Sequence, residues 1–276
     1  MEYIWHSNFL DLWHPGVLAV VLLVLAAYLR GTGRATRRGQ HWPATPLLQK
    51  AYFVAALVIF YLAMGSPLRL AAQRYLFSAH MLQYALLSMV IPPLLLLGLP
   101  EWMLDIAWEK HFWSRLLSVA TNPLVAIVMF NVIFAALEYP PVLDASLHYV
   151  WPYILQSYLV VLLAVGMWWP VLSPVAYKIE WGPDRKRPVE RHMISRIYQL
   201  MYIFFNFALM MLLWFYIIDT HVPFYLFYLH APRITHLTPL ADQQLGVVIM
   251  EAFMGLGFVV AFVASYSRYD DSHWYD

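Results

Sequence analysis

The stretch LFSAHMLQYALLSMVIPPLLLLGLP, residues 76–100, decides how the chain is read. It is long and apolar enough to cross a bilayer, yet His80, Gln83 and Tyr84 stand at i, i+3 and i+4 near its start and share one helix face. Polar side chains in hydrocarbon are costly and are kept where they meet partners, a cavity or a site. This span therefore predicts both the class of the protein and the place to look for its chemistry.

The rest of the chain has the same character. Of its 276 residues 62% are hydrophobic and 12% charged, against roughly 25% charged in soluble domains. About 20 apolar residues are needed to span some 30 Å of hydrocarbon. Charged and Pro-rich interruptions divide the sequence into seven such stretches, near 13–29, 48–65, 76–98, 121–137, 150–172, 198–218 and 242–266. The expectation is an all-α integral membrane protein, a bundle of seven transmembrane helices forming one polytopic domain over residues 1–276. The opening residues lack a basic start and a small-residue cleavage site, so the first span is expected to stay with the chain. A net charge of +1 gives no reason to expect a nucleic-acid partner.

Basic residues in short loops favour the cytoplasmic side. With the N-terminus outside and the C-terminus inside, the inner segments hold Arg30, Arg34, Arg37, Arg38, Lys50, Lys110, Arg115, Lys178, Arg185, Lys186, Arg187, Arg191, Arg196 and Arg268. The outer segments hold only Arg69, Arg74 and Arg233. The segment KIEWGPDRKRPVERH reads as a topology and headgroup determinant. Histidines run the other way, with His6, His14, His148, His221, His230 and His236 outside, His41, His111, His192 and His273 inside, and His80 just below the outer surface. A single loop histidine is most simply an interfacial residue. The group as a whole points to an outward metal site, because imidazole is a common ligand for copper, zinc and iron. The chain has no cysteine, which excludes disulfides and thiolate metal sites within it.

His80 is the only histidine inside a span away from its very end, with a buried hydrogen-bonded imidazole as the structural alternative to a metal or proton role. Gln83 and Tyr84 read as its partners or as plain interhelical hydrogen-bonders. The seventh span opens PLADQQLGVVIM. Asp242 there suits either the site or the N-terminus of its own helix. Gln243, Gly246, Met250, Met254 and Gly257 form one stripe, which reads as helix packing or as soft ligands, since thioether sulfur selects Cu(I). Met64, at the depth of His80, is a further soft candidate. Glu251 lies about 13 Å below Asp242 and on nearly the opposite side of the helix, so it is given a separate task. Asn131 and Asn206 read as interhelical hydrogen-bonders, and Pro92 with Pro93 predicts a kink.

FSAHMLQYALLSMVIPPLLLLGLP, preceded by GSPL, and PLADQQLGVVIM together resemble the multi-span CtaG family of cytochrome c oxidase assembly factors, over most of the chain from His41 to about Arg268. Many members of that family carry histidine where this chain has Tyr84 and further histidines at positions such as Tyr153 and Ser157. The resemblance implies a non-enzymatic, multi-pass protein of the bacterial cytoplasmic (inner) membrane, needed to mature a haem–copper oxidase. It implies copper, Cu(I) in the first instance, delivered from the outer side to the oxidase catalytic subunit. Other copper chaperones and a second copy of the chain are further partners consistent with that role. His80, Gln83, Asp242, Gln243 and, with the methionine stripe, Met250 are the candidate metal residues. The competing expectation is an ion-coupled transporter using Glu251, with Asn131 and Asn206 lining a path. A retinal protein is excluded, because all four lysines lie at or beyond span ends.

Overall fold

The computed structural model describes residues 12–34, 44–100, 103, 122–172 and 196–272. These residues are helical apart from turns and connections: α1 (Pro15–Arg34), α2 (Leu47–Gly65), α3 (Pro67–Arg74), α4 (Phe77–Ala85), a π segment (Leu86–Val90) and α5 (Ile91–Gly98). They continue with α6 (Pro123–Leu137), α7 (Pro140–Leu147), α8 (Val150–Leu172), α9 (Arg196–Ile218), α10 (Leu226–His230) and α11 (Pro239–Ser272). His6, His41, His111, His192, His273 and the basic segment 178–192 lie outside the described residues.

The all-helical class stands, and helix occupies each of the seven expected stretches. Five described helices are long and apolar enough to cross a membrane: Pro15–Gly33, Leu47–Gly65, Phe77–Gly98, Val150–Leu172 and Pro239–Val263. The count becomes six if α6 and α7, bent by 66°, make one broken span. At 15 residues α6 covers only about 22 Å, short of the roughly 30 Å of hydrocarbon. The bend at Pro140–Pro141 turns α7 away from the α6 axis. α9 contributes a shorter apolar run, Ile197–Leu212.

Exposure is inverted relative to a soluble protein. Leu23 is 70% and Leu212 72% exposed, whereas Gln83 and Asn206 are fully buried. Apolar side chains face outward and polar ones are enclosed, as a hydrocarbon solvent requires.

Packing centres on α4. α11 runs along it and along α9, α2 lies against α5, and α8 packs on both α6 and α5. Close approach depends on glycine at two contacts. A Cβ on Gly98 would lie 2.6 Å from the Phe53 backbone nitrogen, and one on Gly246 would lie 2.7 Å from the Phe77 ring. Gly255 meets nothing within 4 Å among the described residues.

The proline pair of the third span is accommodated by the π segment immediately before it. Pro92 has no N–H for the carbonyl of Ser88, and its ring crowds that carbonyl. The freed Ser88 oxygen accepts instead from Trp168 Nε1 at 2.9 Å, which satisfies it inside the membrane and ties α8 to the break.

Candidate functional site: a buried histidine–carboxylate cluster

α4 starts at one end of the bundle, together with the C-terminus of α6 and the N-termini of α8 and α11. Leu76 stands at the N-cap of α4 but supplies no side-chain cap. The cap comes from Asp242 on α11, whose carboxylate accepts from Phe77 N at 2.8 Å, Ser78 N at 3.3 Å and the Ser78 hydroxyl. A carboxylate is well suited to the positive end of a helix. Of the two readings of Asp242, a cap for its own helix is not the one its hydrogen bonds follow. Thr238 Oγ1 takes that place by accepting from Ala241 N at 3.2 Å.

Just below this cap sits His80, fully buried. Its Nε2 lies 3.3 Å from Oε1 of Glu138 at the C-terminus of α6, and its Nδ1 lies 3.1 Å from the Tyr153 hydroxyl of α8. Tyr153 donates to Gln83 Oε1. Gln83 Nε2 in turn donates to Ala63 O at 2.8 Å and lies 3.4 Å from Met64 Sδ. The polar face visible in the third span is thus the start of a chain of contacts across α4, α8, α6 and α2.

The polarity of this chain follows from its fixed end. A backbone carbonyl can only accept, so Gln83 turns its amide nitrogen to Ala63 and its oxygen to Tyr153. Tyr153 spends its one proton on Gln83 and accepts from His80 Nδ1–H. The nitrogen left facing Glu138 is Nε2.

Glu138 is 2% exposed, and its Oε2 has no hydrogen-bond partner among the described residues. Its backbone carbonyl accepts from Tyr225 at 3.1 Å. Tyr225 stacks on Phe77 with ring centroids 4.3 Å apart, and the Tyr228 hydroxyl donates to Ala72 O. Asp144 of α7 accepts from Leu226 N at 3.1 Å and Phe227 N at 3.3 Å, so a second carboxylate from elsewhere caps α10. Tyr84 packs its ring against His80 at 4.2 Å.

Of the residues singled out in the sequence, His80 and Gln83 are brought together through Tyr153. Gln243 Oε1 accepts from Phe224 N at 2.8 Å and so holds the loop before α10. Met250 is fully buried in the apolar core. Met64 reaches the network beside Gln83. Asn131 donates to Asn206 at 2.7 Å, the interhelical bond expected of both. Glu251 is partly exposed and lies away from the cluster. Glu138 was missed from the sequence. Its signal was a lone carboxylate at the end of an apolar run, in ALEYPP, at the same end of the bundle as His80.

Among the described residues no three His, Asp or Glu side chains converge as a closed metal site. The imidazole–carboxylate pair with one unpaired oxygen can hold a cation through two protein donors. Two donors fall short of the closed ligand set that a resident structural ion needs.

The fold and the cluster define a helical membrane protein with a buried polar site at one end of its bundle. The chain belongs to the caa3 cytochrome c oxidase assembly factor family, Caa3_CtaG, whose model matches residues 26–269. It is also similar to two proteins described only as uncharacterized, Mb0105 of Mycobacterium bovis and MT0111 of Mycobacterium tuberculosis. Each is 28% identical over an alignment of 217 residues that covers 71% of this chain. The chain spans 30% of the length of those relatives. No solved structure matches it.

Proposed function

We propose that this protein is a seven-span assembly factor of the bacterial inner membrane, N-terminus outside, that supplies copper to a haem–copper oxidase from the outer face. Family membership supports the oxidase as client. The observation that carries the copper reading is the buried His80 imidazole beside Glu138 Oε1, with the other oxygen of that carboxylate lacking a hydrogen-bond partner among the described residues. Copper is here the cargo. His80 binds it, Gln83 and Tyr153 hold the imidazole ring, and Asp242 and Gln243 keep α4 and the loop before α10 in register around it.

The test is a deletion strain from which the oxidase is purified. Its subunits should be made in normal amounts while its copper content and turnover fall, and excess external copper should restore both. Normal copper and normal turnover in that oxidase would sink the proposal. A fall in total cellular copper without a specific oxidase defect would favour transport instead.

A further inference from the structure

We propose that Glu138 is the second cargo ligand, and that the His80–Glu138 pair takes copper as Cu2+ in preference to Cu(I). The inference rests on the assembly reading only for the identity of the metal. Its support is geometric. Two donors each about 2.1 Å from one cation, in neighbouring positions of the tetragonal geometry that Cu2+ prefers, stand about 3.0 Å apart, and His80 Nε2 and Glu138 Oε1 stand 3.3 Å apart, so a small shift of either side chain admits the ion. Glu138 Oε2, enclosed and without a hydrogen bond among the described residues, is a carboxylate oxygen with acceptor capacity to spare. Buried polar atoms in that state call for an explanation, and the capacity to bind a cation is one.

The rest of the network prepares the nitrogen. Ala63 O fixes Gln83, Gln83 fixes Tyr153, and Tyr153 accepts from Nδ1–H. Metal-binding histidines commonly donate their other ring N–H in this way, which sets the tautomer and the ring angle. Nε2 is therefore the nitrogen that can exchange its proton for a metal ion, and it faces the carboxylate.

The donor chemistry selects the ion. Thioether and thiolate favour Cu(I), whereas imidazole with carboxylate is a harder pair, for which Cu2+ stands at the top of the divalent affinity order. A divalent cation also offsets the buried carboxylate charge. Two protein donors leave positions open, through which an acceptor on the client can take the ion by ligand exchange, with no change of oxidation state and no further reactant.

The experiment uses the full-length protein in detergent, equilibrated with glycine-buffered Cu2+ and, separately, with Cu(I) held by a competing chelator. Retained metal is measured after desalting, and Cu2+ is read by electron paramagnetic resonance. The wild type minus Glu138→Gln difference spectrum removes copper held by exposed histidines such as His148 and His230. That difference should show one Cu2+ coupled to one imidazole nitrogen, and Glu138→Gln should weaken retention at least tenfold. Tyr153→Phe should keep the same signal with roughly 10–100-fold weaker binding, as expected for a residue that only orients a ligand.

Wild-type protein that retains no Cu2+, or retains Cu(I) in preference, overturns the proposal. Glu138→Gln with unchanged Cu2+ affinity overturns it too. The wild-type measurement needs no variant, and Glu138→Asp, which keeps a carboxylate, stands in if Glu138→Gln does not fold. Loss of the site with a persisting copper defect in the deletion strain would refute the Glu138 assignment and leave the assembly role intact.

Discussion

Asp242 caps a helix that begins 165 residues before it, accepting from the Phe77 N–H at 2.8 Å. α4 has no side-chain cap of its own, so the placement of His80 at its first turn depends on α11. α10 is capped in the same manner by Asp144. Two carboxylates from distant segments thus cap two helices at this end of the bundle.

Asp242→Ala should cost about 1.5–3 kcal/mol, the range for hydrogen bonds to a charged acceptor. Asp242→Asn retains one acceptor oxygen and should cost less. Thermal unfolding in detergent checks both, and an alanine variant as stable as wild type would refute the interhelical cap.

Glu138 and His80 should behave as a coupled pair. Removing one member of a buried pair leaves the other uncompensated, at a cost of about 3–5 kcal/mol. Glu138→Ala and His80→Ala should each show this loss, while the double variant loses less than the sum. A double-mutant cycle with a coupling energy near zero would mean that the 3.3 Å contact carries no energetic link.

Two glycines in the bundle should respond in opposite ways to alanine. Gly98→Ala drives a Cβ into the Phe53 backbone, which cannot swing aside as a side-chain tip can, and should cost about 1–3 kcal/mol or more. Gly255→Ala meets open space and should be neutral or gain up to about 1 kcal/mol of helix propensity. Unfolding midpoints of the two variants should separate clearly; overlap would contradict the close contact of α5 with α2.

Trp168→Phe should destabilise by about 1–3 kcal/mol, because the Ser88 carbonyl freed by Pro92 loses its donor where no water replaces it. Pro92→Ala supplies a backbone N–H and should make the Trp168→Phe loss smaller. Equal losses in both backgrounds would show that the indole is not compensating for the proline.

The orientation is open to a direct test, since the chain has no cysteine of its own. Cysteine placed at His148 should react with a membrane-impermeant thiol reagent in intact cells, and cysteine at Arg187 should not. Labelling at position 187 alone would reverse the topology.

The sequence by itself determined the helical membrane class, the seven helical stretches, the family resemblance and the polar face of His80 and Gln83. Each is written in local quantities: the length of an apolar run, the i, i+3 spacing and a short motif. The Asn131–Asn206 bond was also anticipated, as a polar residue in a span seeks a partner on another helix. Hydrocarbon makes it certain that such a group needs a partner, but not which one. The partners of His80 lie 58 and 73 residues away, at Glu138 and Tyr153, and only the packing of α4 against α6 and α8 brings them there. Asp242 illustrates the same limit, because a carboxylate near a helix start reads locally as that helix's own cap. It serves α4 instead because Gly246, one turn later, lets α11 approach the Phe77 ring closely, a contact that no local pattern encodes.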